Sequence, residues 1–251
     1  MDKMIFTSLN SIRNLYDERY NISQNMANIS VPGYRRDLQN QGNAAFLSQY
    51  EALGPRAYAL EVGPSEFSKK IGTMKRTEVP TDVGIANHGF IVAQSESGET
   101  IFTRRGDLMI SRDGILQNGE GETILSENLS PIQVPQYSEI KISREGEIYV
   151  DSMQTPKGVF TSLGVIATVD PELYNLRKDL DGKIKNFGEN EVVPDQSGVF
   201  IQGSLELSNV NPVEEMVASI DNQRQFELNL KMIKSVEEAD RSGMALLKIS
   251  Q

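Results

Sequence analysis

Few side chains of this 251-residue chain are of the types that carry out acid–base or nucleophilic chemistry. There is one histidine, His88, and there is no cysteine. Without cysteine there is no disulfide, no thiolate metal site and no cysteine nucleophile, so a transition-metal site would need almost only carboxylates. His88 stands in Asn87-His88-Gly89, a turn-like sequence before an apolar run. We interpret it as a turn residue and predict no metal site.

Two pairs of acidic residues, Asp179/Asp181 and Glu189/Glu191, have the spacing for a general acid and a general base. That role needs surroundings that separate the two pKa values, and both pairs lie in polar sequence. Solvated loop charge is the favoured interpretation, and a carboxylate hydrolase is the alternative. Gly119-Glu120-Gly121 lacks the strand-to-helix context of a dinucleotide loop and is interpreted as a turn. The sequence thus predicts no enzyme, no cofactor and no small-molecule substrate.

Charge and hydropathy narrow the classes of partner. The net charge of −10 at pH 7 argues against nucleic acid, whose binding needs a basic face. Apolar residues never form the unbroken run that a membrane span needs, so we predict no membrane insertion. The first residues lack the basic start and apolar block of a secretory signal, and no such signal is expected.

The segments that could position a functional surface are two apolar stripes at helical spacing, one near each end of the chain. A helix that is apolar along one stripe must bury that stripe against something. We therefore predict that both stripes form an assembly interface rather than a catalytic site. The predicted interface residues are Ile5, Leu9, Ile12, Leu15, Ile22, Met26, Ile29, Val213, Met216, Val217, Ile220, Phe226, Leu230, Ile233 and Val236.

Start and stop signals divide the chain. The first helix is expected over residues 3–30, because Val31-Pro32-Gly33 ends it. The second is expected to begin with Asn211 as the cap, Pro212 at the first helical position and Glu214 completing a capping box. Residues 1–30 with 208–251 are predicted as one helical domain, 31–78 as an extended connector and 79–207 as a β-rich domain. The fold class is α+β.

The middle of the chain has the pattern of short strands. Ile140, Ile142, Ile148 and Val150 alternate with polar residues, as half-buried strands do. Asp113-Gly114 between apolar runs is a strong hairpin signal. Turn signals every eight to twelve residues predict a compact β-barrel or β-sandwich.

Three segments carry signatures in the same order along the chain. The first is residues 25–36, which end a helix and run into Val31-Pro32-Gly33-Tyr34. The second is residues 82–90 with 101–107 and 113–116, and the third is residues 205–216 with 224–227 and 233–237. Together they resemble the axial rod and hook proteins of the bacterial flagellum. The signature residues are Asn25, Ala27, Asn28, Pro32, Gly33, Tyr34, Gly89, Phe90, Thr103, Arg104, Gly106, Ser208, Asn209, Val210 and Pro212.

The resemblance implies that the terminal helices pair as a coiled coil and that the chain is a structural subunit of the flagellar basal-body rod, which transmits torque from motor to hook. The third segment and the chain length favour a member of the proximal rod, with a distal-rod member as the alternative. Implied partners are neighbouring proximal and distal rod subunits and the flagellar type III export apparatus. The implied location is the periplasmic rod, reached without a cleaved signal peptide.

A periplasmic binding module with helical oligomerisation ends is the remaining alternative. Its β-domain would read carbohydrate or peptidoglycan with exposed aromatic side chains. The candidates are Phe90, Tyr137, Tyr149 and Phe160.

Overall fold

The structure is a computed structural model that describes residues 2–38, 65–152, 156 and 158–248. The described residues group into two compact units. The helical unit contains residues 2–27, 37–38 and 211–248, and the β-unit contains residues 28–36 and 65–210 with the gaps just given. The α+β class predicted from the sequence is confirmed.

Two long helices are present in the described residues: α1, Asp2–Ala27, and α2, Pro212–Lys248. Neither has a stretch long and apolar enough to cross a membrane. The main-chain N–H of Val213 donates to Asn211 Oδ1 at 3.1 Å, which confirms the predicted cap. Glu214 Oε1 accepts from the Asn211 side-chain amide at 3.0 Å instead of from its main-chain N–H. Its carboxylate therefore supports the cap side chain.

The first helix ends three residues earlier than predicted. Residues 28–30 form a turn, in which Val31 N donates to Asn28 O at 3.2 Å. This hydrogen bond joins residues i and i+3 instead of residues i and i+4 as in an α-helix, so it tightens the chain ahead of Pro32 and Gly33.

The β-unit is built from short strands. In chain order they are β1 Met74–Arg76, β2 Val83–Ile85, β3 Phe90–Gln94, β4 Thr100–Thr103, β5 Leu108–Ile110, β6 Leu116–Asn118, β7 Thr123–Ile124, β8 Tyr137–Ile142, β9 Glu147–Ser152, β10 Phe160–Val165, β11 Thr168–Val169, β12 Leu176–Lys178, β13 Ile184–Asn186, β14 Phe200–Gln202 and β15 Ser204–Glu206.

All pairings of these strands are antiparallel. The largest sheet runs in the order β12-β13-β4-β3-β7-β6-β5, with β11 also paired to β3. A second sheet has the order β10-β9-β8, and two-stranded sheets join β1 to β15 and β14 to β2. The large sheet stays open, with β12 and β5 at its ends. The barrel alternative was therefore wrong, and the sheets pack as a sandwich.

The predicted hairpin at Asp113-Gly114 is confirmed as the link between β5 and β6. Gly114 has a φ of 78° and its N–H donates to Ser111 O at 3.0 Å. The pair Ile110↔Leu116 closes the strands, so the loop spans residues 111–115. Ser111 Oγ also accepts from Ile115 N at 3.2 Å, which holds the longer loop in place.

Part of the predicted connector contributes to the β-unit. Residues 39–64 lie outside the described part of the chain. On either side of them, Arg35 and Phe67 are buried, and β1 pairs with β15. Burial of Phe67 against the ring of Phe90, at 5.8 Å between centroids, gives this segment a packing role that its polar sequence did not indicate.

Two apolar clusters form the core of the β-unit. One gathers residues from the large sheet, β8, β9 and β14, including Ile124, Ile148 and Phe200. The other lies around Phe90 and Phe102. Both faces of β3 are buried, which explains why its sequence is continuously apolar instead of alternating.

We expect Ile148→Ala to destabilise the β-unit by about 2–5 kcal/mol, because Ile148 has no exposed surface and its loss leaves a cavity. Urea unfolding followed by near-UV circular dichroism measures this change. Val159→Ala is the control, since Val159 is half exposed and should shift the free energy of unfolding by less than about 0.5 kcal/mol. Equal effects of the two substitutions would contradict the assignment of this core.

Candidate functional site

Two features stand out as functional candidates, and the first lies in the helical unit. Helices α1 and α2 contact each other in antiparallel orientation. Near the end of α1, Asn25 Nδ2 donates to Glu215 Oε1 at 3.4 Å. Farther along, Asn222 Nδ2 donates to Leu15 O at 3.0 Å and to Glu18 Oε2 at 3.1 Å. From the first contact to the second, the residue numbers fall in α1 and rise in α2, so the two helices are antiparallel.

Some of the predicted assembly residues have buried or partly buried side chains, and the others are exposed to solvent. Buried side chains are Leu15, Ile22 and Val236; partly buried ones are Ile12, Ile29, Phe226 and Ile233. Exposed side chains are Leu9, Met26, Val213, Met216, Val217, Ile220 and Leu230. Ile5 lies in the part of α1 whose side chains are outside the described set. The apolar stripe predicted from the sequence is therefore two surfaces with different surroundings.

Four of the exposed residues form one surface at the start of α2. Val213, Met216, Val217 and Ile220 follow the spacing i, i+3, i+4 and i+7, which places them on one side of a helix. Their exposed fractions are 65, 53, 53 and 54%. We call this surface the α2 apolar face. A contiguous apolar surface of this kind is typical of a protein–protein contact.

The second feature is a buried charge cluster in the β-unit, centred on Glu206 at the end of β15. Arg35 Nη2 lies 3.1 Å from Glu206 Oε1, and Arg104 Nε lies 2.6 Å from Glu206 Oε2. All three side chains are at most 1% exposed. Gly72 N also donates to Glu206 Oε1 at 2.6 Å. One carboxylate therefore forms ion pairs with two guanidinium groups, and both of these groups are buried.

Main-chain carbonyls accept three further hydrogen bonds from Arg104. Its Nη1 donates to Asn87 O at 2.7 Å and to Gly89 O at 2.5 Å, and its Nη2 donates to Ile85 O at 2.7 Å. Burial lowers the pKa of Arg104, and the charge and hydrogen bond of Glu206 oppose that change. Satisfied in this way, the guanidinium holds the turn between β2 and β3 in place.

Arg35 is held from three directions. Its Nη1 donates to Lys70 O, and its main-chain O accepts from Lys178 Nζ at 2.6 Å. Burial lowers the pKa of Arg35 to about 10, with Glu206 acting in the opposite direction and Arg104 adding to the decrease. The side chain stays charged at neutral pH and needs its counter-charge. The ring of Phe90 lies 5.7 Å from the guanidinium carbon of both arginines, an arrangement that favours cation–π contact.

Several signature residues hold the chain around this cluster. Asn209 accepts from Arg36 N at 2.7 Å through Oδ1 and donates through Nδ2 to Ser68 O and Lys70 O. Gly33 N donates to Glu206 O at 2.8 Å. The Tyr34 ring lies 3.9 Å from Lys178 Nζ. These contacts join residues 33–36 to residues 206–209, so the segment after α1 and the segment before α2 are fixed together.

Other signature residues act locally. Thr103 Oγ1 accepts a hydrogen bond from the main-chain N–H of Arg105. Ser208 Oγ accepts one from the main-chain N–H of Val210, and the side chain of Val210 is buried. A Cβ at Gly106 would collide with Val83 O. In the helical unit, Asn25 exchanges two hydrogen bonds with the Asp37 main chain, at 3.1 and 2.8 Å. The remaining signature positions are Ala27 at the end of α1, Asn28 and Pro32 in the following turn, Gly89 ahead of β3 and Pro212 at the start of α2.

Sequence reasoning missed most of the charge cluster. Of its members only Arg104 and Phe90 were among the signature residues, and Arg35, Lys178 and Glu206 were not. The available signal was that Glu206 lies in a strand between Leu205 and Leu207, where a carboxylate needs a partner if it is buried. Nothing local identified that partner as two arginines far away in sequence.

Two of the residues considered for acid–base chemistry form ion pairs with a lysine. Asp179 and Asp181 both pair with Lys185 Nζ, at 2.8 and 2.9 Å. The hydrogen bond from Lys185 lowers the pKa of Asp179, and the bond to Asp179 raises that of Lys185. His88, Glu189 and Glu191 are exposed. No group of three or more metal-binding side chains occurs within the described residues.

Two family models match this chain. Residues 84–150 match the model described as the flagellar hook protein FlgE/F/G D1 domain, and residues 201–246 match that of the flagellar basal body rod FlgEFG protein C-terminal. The first match covers β2 to β9, and the second covers β14, β15 and most of α2. Both matched regions contain members of the charge cluster.

Similar proteins extend the match to the full length. The FlgF basal-body rod protein of Salmonella typhimurium is 29% identical, and that of Escherichia coli is 27% identical, each with 100% of both chains covered. The FlgG rod protein of Buchnera aphidicola from Acyrthosiphon pisum is 32% identical, with 92% of both chains covered. The chain belongs to the flagellar basal-body rod protein family, a family of structural proteins, and it is FlgF-like over its whole length.

Arg105, the residue after Arg104, forms a separate ion-pair network. Its side chain binds Asp107 at 2.7 and 2.9 Å and Glu120 at 2.7 Å. Partial burial opposes these contacts, but the two carboxylates together raise the pKa of Arg105. Arg105 therefore links two turns through a local ion-pair network.

We expect Glu206→Gln to destabilise the β-unit by about 3–5 kcal/mol, because it leaves two buried guanidinium groups without their counter-charge. Denaturant unfolding at neutral pH measures the loss. Glu120→Gln is the control: this carboxylate also pairs with an arginine but is half exposed, so the loss should stay below about 1 kcal/mol. If both variants unfold at the same denaturant concentration, Glu206 is not the centre of the cluster.

We expect Gly33→Ala to cost roughly 2 kcal/mol or more, because Gly33 has a φ of 68° and a Cβ there would collide with the Arg104 main chain. Gly98→Ala separates the two causes. Gly98 has a φ of 87°, and a Cβ there would have nothing within 4 Å, so only the backbone cost of about 1–2 kcal/mol applies. Thermal unfolding should rank Gly33→Ala below Gly98→Ala, and the reverse order would refute the close approach.

Proposed function

We propose that this chain is a FlgF-type structural subunit of the proximal rod, which joins neighbouring rod subunits in the shaft that carries torque from motor to hook. The observation that carries the proposal is the α2 apolar face, exposed in a chain of a rod-protein family. Head-to-tail contacts between such subunits generate a helical tube when the rotation between them does not close. The role is non-enzymatic, with no cofactor, metal, nucleic acid or small-molecule substrate.

The helical unit supports a coiled-coil assembly domain. Glu215 and Asn222, seven positions apart, both hydrogen-bond to α1, which is the spacing of a heptad seam. The ring contact of Tyr16 with Phe226, at 5.7 Å between centroids, adds to that seam. With the seam occupied by α1, the α2 apolar face holds four of the seven predicted interface residues that stay exposed, and we infer that it docks to other subunits.

Location and delivery follow from the same family. We infer that the chain works in the periplasmic part of the basal body and is exported by the flagellar type III apparatus without a cleaved signal peptide. The predicted domain boundaries and the wider set of interface residues belong to this proposal. A FlgG-type subunit of the distal rod is the second candidate, supported by the FlgG protein that is 32% identical over 92% of the chain.

The binding-module alternative has less support. Of its four aromatic candidates, Phe90 is buried between two arginines. Phe160 lies under Lys141 Nζ, 4.0 Å from the ring centroid. Tyr149 donates its hydroxyl proton to Glu147. Tyr137 is partly buried and packs against the core of the β-unit. The four side chains already have protein partners, so they do not form an open platform for a sugar ring.

We expect Ile220→Asp to abolish incorporation into the rod and motility while leaving the β-unit folded. The change places a charge on the α2 apolar face, which must lose water when it docks. Ile220 is 54% exposed in the free chain, so the free energy of unfolding should change little. Motility on soft agar and the amount of protein in purified basal bodies are the measurements.

Two controls accompany this variant. Leu180→Asp makes the same chemical change on the β-unit at a residue that is 73% exposed, and Ser219→Asp adds a charge to α2 beside Ile220. Both should keep motility. Normal rods in Ile220→Asp cells would contradict the proposed docking surface, and loss of rods in the Leu180→Asp cells would show that the effect is not specific to α2.

A further inference from the structure

The polarity of α2 is inverted over its first three turns. The side chains of these turns that hydrogen-bond to α1 are Glu215 and Asn222, both polar and at most 5% exposed. A helix turns by about 100° per residue, so the α2 apolar face lies roughly opposite Glu215 and Asn222. In these turns the apolar side of the helix points to solvent and the polar side points to α1, whereas farther along α2 the ring of Phe226 contacts Tyr16.

In these first turns, apolar burial alone would favour the opposite arrangement. Rotating this part of α2 by half a turn would direct the α2 apolar face toward α1, where Ile22 is buried. The four side chains of that face would then lose apolar surface that the observed facing leaves in water. Polar contacts that exist only in the observed facing must therefore offset this burial.

The hydrogen bonds of two polar layers supply that selection. Asn222 reaches both the Leu15 carbonyl and the Glu18 carboxylate, and Asn25 reaches Glu215. A buried polar group raises the free energy of any arrangement in which it loses its hydrogen-bond partner. A single polar residue at a heptad seam is known to fix the register of helix pairs at a cost in stability.

We propose that Asn222, supported by the Asn25–Glu215 layer, is a specificity-determining residue that fixes the facing of α2 and so keeps its apolar face free for assembly. Without this contact, α2 turns its apolar face onto α1 and hides the docking surface within the same chain. The inference rests on the proposed function for the use of that surface. The facing itself is a property of the single chain and is tested on the single chain.

Disulfide trapping reports the facing, and the chain is suited to it because it contains no cysteine. Glu18 bonds Asn222, and one heptad farther along the antiparallel pair the level positions are Ser11 and Asn229, so Ser11→Cys with Asn229→Cys is designed to report the observed facing. Ser11→Cys with Lys231→Cys reports the rotated one, because Lys231 lies roughly half a turn around α2 from Asn229. All three positions are polar, so no apolar contact is removed.

In the parent chain we expect the 11–229 disulfide to form and the 11–231 disulfide to be minor. Asn222→Ala should raise the ratio of the 11–231 to the 11–229 product about tenfold, because two hydrogen bonds are lost. Asn222→Asp should do the same, since a second carboxylate beside Glu18 repels it. Gln223→Ala, a change at the exposed neighbouring position, should leave the ratio unchanged.

A rescue variant tests the cause. Adding Val217→Ser and Ile220→Ser to Asn222→Ala removes the competing apolar face, and the ratio should return to that of the parent chain. An unchanged ratio in Asn222→Ala, or an equal loss of both products, would overturn the proposal, because Asn222 would then serve only to hold the helices together. These measurements need no rod, so they can fail while the Ile220→Asp assembly result stands, and the reverse also holds.

Discussion

The carboxylate of Glu206 is the interaction on which the β-unit depends. It lies between Arg35 and Arg104, and all three groups are buried. Desolvating a guanidinium costs several kcal/mol, which only a close counter-charge and satisfied donors offset. The cluster is therefore favourable only when three segments distant in sequence are in place together. It makes the strands around Arg104, the segment after α1 and the segment before α2 cooperative parts of one unit.

The helical unit follows a different rule. Its contact between α1 and α2 is rich in hydrogen-bonded polar side chains, while the strongest apolar surface of α2 is exposed. Such an arrangement gives up apolar burial within the chain. In the function we propose, the same surface gains its burial from neighbouring subunits. That proposal assigns the stability of the free chain and the stability of the assembly to different residues of the same helix.

Local features could be predicted because their causes are local. The cap at Asn211 needs only residues 211–214, and the hairpin at Asp113-Gly114 needs only the apolar runs beside it. The family was equally readable from three segments of the sequence, and the similar proteins confirm the family. Whether the large sheet closes into a barrel could not be predicted in the same way. Whether the strands form a barrel depends on whether β12 and β5 pair, and no pattern within either strand carries that information.

The sequence by itself determined the α+β class, the two long helices, the antiparallel strands and the absence of cysteine chemistry, because composition and periodicity act over a few residues. Only the tertiary structure decided that Glu206 pairs with both arginines, and that the first turns of α2 direct Glu215 and Asn222 to α1. Both outcomes depend on groups far apart in the chain. Burial sets the cost of each charge and hydrogen bond, and burial is known only once the chain has folded.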